Sequence, residues 1–131
     1  MSNFGELYQT ADWKSEKHVP VIACQDTVAA DTPFTVTVTV GKEIAHPNTT
    51  EHHIRWIKLY FKPDGDKFCY EVGGCEFNAH GECVDGPNKG NVYADPSATL
   101  QMKIKKAGLL LAASYCNIHG LWQNSLQIKV S

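Results

Sequence analysis

Residues 34–40 alternate between apolar residues and threonines, and this alternation constrains the fold more than any other feature of the sequence. The apolar positions are Phe34, Val36, Val38 and Val40. Successive side chains of a strand point to opposite faces, so a period-2 pattern rich in β-branched residues predicts a half-buried β-strand.

Similar short runs recur along the chain, and about eight strands fit. Turn residues separate them at 63–66, 73–74 and 86–91. Closely spaced strands without amphipathic helices between them indicate an antiparallel sandwich or barrel, so the predicted class is all-β. A short helix is expected only at 5–13. The other predicted strands are 19–24, 53–62, 67–72, 75–78, 100–105, 109–115 and 126–130.

Length and composition favour one domain without nucleic-acid or membrane partners. A chain of 131 residues can bury one core, and the absence of a repeat or linker predicts a single domain over 1–131. A net charge of -2 gives no electrostatic reason to bind nucleic acid or membranes. We see neither a signal peptide nor a transmembrane stretch. Five cysteines without a Cys-x-x-Cys motif argue against a disulfide framework and favour a reducing, cytoplasmic setting.

Cysteine and histidine clusters predict a metal site. Cys116 and His119 lie three residues apart, His46 begins the cluster at 46–53, and His18 precedes a predicted strand. His52 and His53 begin another strand and point to opposite faces, so only one is a plausible ligand, and periodicity does not choose between them. Four nitrogens and one sulfur exceed a zinc tetrahedron and suit iron with one open position.

Two other interpretations stay open at this point. A β-sandwich with a Cys and a His on one C-terminal loop also describes blue-copper proteins, with Gln123 as a possible weak ligand. A metal-free binding module would explain the strands but not the histidine clusters.

The site residues lie in three motifs that resemble those of superoxide reductases of the neelaredoxin type, and the likeness runs from about Glu6 to Val130. The larger desulfoferrodoxin relatives carry an added N-terminal four-cysteine iron domain, whereas this chain has no Cys before Cys24, so it resembles the single-iron form. The motifs are Glu16-Lys17-His18-Val19-Pro20, His46-Pro47-Asn48-Thr49-Thr50-Glu51-His52-His53-Ile54 and Cys116-Asn117-Ile118-His119-Gly120-Leu121-Trp122.

The resemblance implies a ligand set and a fold. Equatorial imidazoles would come from His18, His46, His52 and His119, with the Cys116 thiolate axial to one iron that alternates between Fe2+ and Fe3+. His53 would then face away from the iron. The implied fold is an immunoglobulin-like antiparallel β-sandwich, which agrees with the strand pattern.

The resemblance also implies an enzyme that reduces superoxide by one electron to hydrogen peroxide in oxidative-stress defence. Lys17 would attract the anion, and Glu16 would close the sixth position in the ferric state. Electrons would come from rubredoxin or a similar small donor, and a dimer or tetramer is expected. Dismutation of superoxide at the same iron is the alternative reaction.

The remaining cysteines and His80 receive structural interpretations. His80 is expected at a turn or on the surface, and Trp122 is expected beside the iron because it follows His119 closely. Core positions or free thiols are expected for Cys24, Cys69, Cys75 and Cys83.

Overall fold

Eight strands and one short 3-10 turn form the fold in the computed structural model, which describes residues 2–131. The 3-10 turn spans Phe4–Leu7. The strands are β1 (Pro20–Ala23), β2 (Thr27–Val28), β3 (Phe34–Val40), β4 (Ile54–Pro63), β5 (Tyr70–Glu76), β6 (Ser97–Met102), β7 (Gly108–Cys116) and β8 (Gly120–Val130).

The strands form two sheets that pack as a sandwich, which confirms the predicted all-β class. One sheet has the order β1-β3-β6, and the other has the order β2-β8-β7-β4-β5. All pairings are antiparallel except that of β2 with the end of β8, which is parallel. Met1, the first residue of the predicted domain, lies outside the described residues.

The alternation in β3 builds the core as predicted. Val36, Val38 and Val40 are at most 2% exposed and face the opposite sheet. The threonines face the other way, where the hydroxyls of Thr37 and Thr39 hydrogen-bond to side chains of β6 at 3.1 and 2.9 Å. Burying the apolar face of each sheet is the main stabilising term of such a sandwich.

Two local predictions were wrong. In place of the predicted helix at 5–13, the structure has only the four-residue 3-10 turn. The segment after this turn pairs with β8 instead. The Gln9 amide donates to the Leu121 carbonyl, and the Gln123 amide donates to the Gln9 carbonyl. The predicted turn at 73–74 lies inside β5, which therefore continues from 70 to 76. A Cβ at Gly74 would lie 2.6 Å from the Ile57 carbonyl oxygen, so glycine permits close pairing of β5 with β4 there.

Strand lengths also differ from the prediction. β8 begins at Gly120 rather than at 126, and β7 and β8 form a hairpin in which Cys116 pairs with Gly120. β2 was not predicted, since two residues carry no periodicity. No helix in the described part of the chain is long and apolar enough to cross a membrane.

Candidate metal centre

The candidate metal centre lies at the end of the sandwich where β7 turns into β8. Cys116 ends β7, and a short loop carries His119 before Gly120, whose positive φ of 81° allows the return into β8. The loop that follows β3 delivers His46 and His52 to the same end, and His18 lies just before β1. Three separate parts of the chain therefore meet here.

Donor atoms of four of these residues converge. His18, His52, Cys116 and His119 each offer one atom, and the four atoms lie within 4.8 Å of one another. His119 Nδ1 lies 3.0 Å from His18 Nε2, 3.2 Å from His52 Nε2 and 3.7 Å from Cys116 Sγ. The atoms are close enough to surround one ion.

His46 joins this group from the buried side. Its Nε2 lies 3.6 Å from Cys116 Sγ, and its ring centroid lies 4.9 Å from that of His18 and 4.7 Å from that of His52. Cys116 is fully buried and His46 is 8% exposed. The structure thus brings all five residues of the predicted ligand set together.

Hydrogen bonds on the outer side of two rings orient the inner nitrogens. Glu16 Oε1 lies 2.6 Å from His18 Nδ1, and the Pro47 carbonyl oxygen lies 2.6 Å from His46 Nδ1. Each oxygen accepts a hydrogen bond from the N–H group at Nδ1, so the lone pair of each ring is on Nε2 and points inward. Such outer partners fix the tautomer and raise the basicity of a ligating imidazole.

The thiolate position is held by the backbone of its own loop. The His119 amide donates to Cys116 Sγ at 3.4 Å. This hydrogen bond fixes the position of the sulfur relative to the His119 ring.

Burial lowers the pKa of three of the site histidines. It lowers the pKa of His46 to about 4, and the charges of His18, His52 and Lys17 act in the same direction, against the Pro47 hydrogen bond. Burial also lowers the pKa of His18, partly offset by Glu16. For His52, burial followed by the charges of His119, His18 and Lys17 lowers the pKa. A lowered pKa favours neutral imidazole, which is the form that binds metals.

The donor chemistry fits iron or another redox transition metal. Ring nitrogens of His18, His52 and His119 lie within 4.8 Å of one another and of Cys116 Sγ, and His46 Nε2 lies 3.6 Å from the same sulfur. Several imidazoles with one thiolate suit a transition metal rather than the hard cations Mg2+ and Ca2+.

The two predicted catalytic residues flank the site. The Glu16 carboxylate bonds the outer nitrogen and the backbone amide of His18, at 2.6 and 2.9 Å. Burial raises the pKa of Glu16, but these hydrogen bonds outweigh it and the net pKa is lowered. Lys17 is half-buried, and its charge lowers the pKa of His18, His46 and His52. Within residues 2–131, no carboxylate lies within 4.0 Å of its ammonium group.

Trp122 closes one wall of the site. Its ring stacks on His18 with centroids 5.1 Å apart and planes 17° apart, and its Nε1 donates to the His119 carbonyl at 3.2 Å. Its position beside the donor group is the one that the sequence predicted.

His53 and His80 lie outside the donor group. His53 follows His52 on the chain, but its ring stacks on that of His80 at 3.5 Å. The expectation of a turn or surface position for His80 was wrong, because it is 4% exposed. Its burial depends on contacts with the 46–53 loop, which no local sequence pattern reveals.

The side chain proposed as a copper ligand points elsewhere. Gln123 Nε2 donates to the carbonyl oxygens of Gly5 and Tyr8, at 3.4 and 3.3 Å. The remaining cysteines are all free; Cys24 is half-buried, and Cys69, Cys75 and Cys83 are exposed.

A small β-sandwich with a mixed imidazole and thiol donor group at one end defines the class of protein: a metal-binding β-sandwich. The family model of desulfoferrodoxin matches residues 10–125. The chain belongs to the desulfoferrodoxin family.

Its relatives agree over nearly the whole length. The chain is 68% identical to neelaredoxin from Megalodesulfovibrio gigas, with 95% of this chain and 96% of that protein covered. It is 55% identical to the superoxide reductase of Pyrococcus furiosus, with coverages of 95% and 98%.

Solved structures show the same fold. A putative superoxide reductase from Thermotoga maritima superposes with a TM-score of 0.96 at 55% identity, covering 100% of this chain and 99% of that one. The superoxide reductase (neelaredoxin) of Archaeoglobus fulgidus in its reduced form gives a TM-score of 0.88 at 58% identity, with coverages of 94% and 98%.

Proposed function

We propose that this protein is a superoxide reductase that defends against oxidative stress. It adds one electron and two protons to superoxide and forms hydrogen peroxide without releasing oxygen. The observation that carries the proposal is the cluster of three imidazoles around the buried Cys116 sulfur, with the His46 ring nitrogen 3.6 Å from the same sulfur. Relatives with the same fold bear the name superoxide reductase.

One iron per chain is the proposed cofactor. Cys116 supplies the thiolate that would hold it, and the four imidazoles come from His18, His46, His52 and His119. The distances between their donor atoms support this set. Iron bound here would supply the electron for superoxide, with its potential tuned by the thiolate.

Lys17 is the proposed attractor of the substrate anion. Its charge acts on His18, His46 and His52, so it lies close enough to raise the local concentration of superoxide and to stabilise charge on the product. Its lack of a carboxylate partner among the described residues leaves that charge available.

We propose two roles for Glu16, one after the other in the reaction. Its hydrogen bonds to His18 hold the ligand in the tautomer that presents Nε2 to the metal. The second role is the one that the family resemblance implies: the carboxylate would occupy the coordination position that the five ligands leave open when the iron is ferric. For this, the carboxylate has to leave His18.

Turnover requires an external electron donor, because one iron holds one electron for this reaction. We propose rubredoxin or a similar small electron-transfer protein. A dimer or tetramer in the cytoplasm, with residues 1–131 acting as one unit, completes the proposal.

The test is the stoichiometry of the reaction. Protein loaded anaerobically with ferrous iron is mixed with a known amount of superoxide, and peroxide and oxygen are measured. A reductase yields one peroxide for each superoxide consumed and no oxygen. One peroxide for every two superoxides, with oxygen released, would identify a dismutase, and failure to bind iron would reject both.

A further inference from the structure

Two buried imidazoles that the proposed reaction does not use lie stacked behind the metal centre. The rings of His53 and His80 are 3.5 Å apart and inclined by 7°, and each residue is 4% exposed. A buried polar side chain needs hydrogen-bond partners to offset the loss of water. The hydrogen-bond partners of these two rings show which segments of the chain the pair connects.

The hydrogen bonds of His53 fix its tautomer. Arg55 Nε donates to His53 Nε2 at 3.0 Å, so that nitrogen carries the lone pair. Nδ1 therefore carries the proton, which it donates to the Thr49 carbonyl at 2.8 Å. His53 thus ties the start of β4 to the preceding loop.

His80 contacts the same loop through Asn48. His80 Nδ1 lies 2.7 Å from Asn48 Oδ1, and Nε2 lies 2.9 Å from the Phe77 carbonyl oxygen. The Asn48 amide cannot be reversed without loss, because its Nδ2 donates to the Ala94 carbonyl. Both partners of the ring are acceptors, so neutral His80 donates one of these bonds and protonated His80 donates both.

We propose that His80 is a positioning residue for the metal centre, which it serves by holding Asn48 and thereby the loop that carries His46 and His52. The inference rests on the proposed iron site. Asn48 lies two residues after one ligand, and the loop between β3 and β4 contains no regular strand. Side-chain contacts must therefore fix its conformation.

Other contacts from the same segment support this role. Asn88 Oδ1 accepts from the Thr50 amide at 2.7 Å, and Asn88 Nδ2 donates to the Glu51 carboxylate at 3.0 Å. Residues 77–94, between β5 and β6, thus hold the outer side of the ligand loop. Among these contacts, the hydrogen bond of His80 is the buried one, so water cannot easily replace it when it is lost.

The test compares iron binding in four proteins. His80→Phe keeps a flat ring for stacking but removes both donors, and Asn48→Leu removes the acceptor. The double variant closes a thermodynamic cycle. The dissociation constant of ferrous iron is measured anaerobically by competition with a chelator, and the thiolate-to-iron absorption band is recorded.

We expect each single variant to bind iron about tenfold more weakly, in the range found when groups behind metal ligands are removed. The double variant should lose clearly less affinity than the sum of the two single losses, because both single variants remove the bond between His80 and Asn48. The absorption band should shift in all three. Ile128→Val, in the buried far half of β8, serves as a control for loss of stability alone.

The proposal is overturned if iron affinity changes less than twofold, if the control lowers it equally, or if the two single effects add. If His80→Phe does not fold, His80→Gln keeps a donor and must show a smaller loss of affinity than Asn48→Leu. Wild-type protein that binds no iron would reject the proposed function itself, whereas tight binding in wild type and variants alike would reject only the role of His80.

Discussion

Asn117 offers a direct test of how the ligand loops are held together. It lies between the proposed ligands Cys116 and His119, and its side chain reaches across to the loop of His52. Its Oδ1 accepts from the His53 amide at 2.8 Å, and its Nδ2 donates to the Glu51 carbonyl at 3.0 Å. Asn117→Ala removes both bonds.

The expected cost follows from the burial of the two orphaned groups. His53 is buried, so its amide loses a partner that water does not replace, at about 1–2 kcal/mol. Glu51 is exposed, so its carbonyl can bond water and the loss is about 0.5–1 kcal/mol. The sum is about 2 kcal/mol, or about 7 °C in midpoint at an unfolding entropy of about 2.1 cal/mol/K per residue.

Equilibrium unfolding of the metal-free protein in urea measures this cost. Asn124→Ala is the matched control, because among residues 2–131 Asn124 Oδ1 accepts only from the amide of the next residue. We expect Asn117→Ala to lose about 2 kcal/mol and the control less than about 0.5 kcal/mol. Equal losses in the two variants would show that Asn117 does not join the loops.

Three further predictions concern the site and the core beneath it. Cys116→Ser should abolish the thiolate-to-iron absorption band of the loaded protein, and a retained band would remove Cys116 from the ligand set. Lys17→Ala should slow capture of superoxide about tenfold and flatten its ionic-strength dependence, whereas Lys103→Ala, a distant loss of the same charge, should do neither. Ser114 Oγ is buried without a hydrogen-bond partner in the described chain, so Ser114→Ala should leave the unfolding free energy in urea unchanged or raise it by up to about 1 kcal/mol; a clear loss would reveal an overlooked partner.

The fold class was predictable because the strand pattern is repeated along the chain. The alternation in β3 specified which residues enter the core, and Val36, Val38 and Val40 are buried as expected. Local errors arose where pairing overrode residue preference. From residue type alone Gly74 was assigned to a turn, but it lies inside β5. The backbone of β4 lies so close to it that a side-chain Cβ would not fit there.

The candidate site was predictable to the extent that its residues lie in short motifs. Cys116 and His119 share one loop, and their spacing together with the upstream histidines predicted a metal site. Periodicity showed that His52 and His53 face opposite ways but did not say which one faces the site. In the structure, His52 Nε2 lies 3.2 Å from His119 Nδ1, and His53 stacks on His80.

The sequence by itself determined the donor chemistry, the alternating core and the membership of a sandwich fold, because these depend on residue type and on neighbours along the chain. Tertiary structure alone decided which atoms meet. Outer hydrogen bonds select Nε2 of His18 and His46 as the inward nitrogens, and they come from Glu16 and Pro47. The burial of His80 arises likewise from a loop distant in sequence, since hydrogen bonds and stacking act over a few ångströms in space and leave no period along the chain.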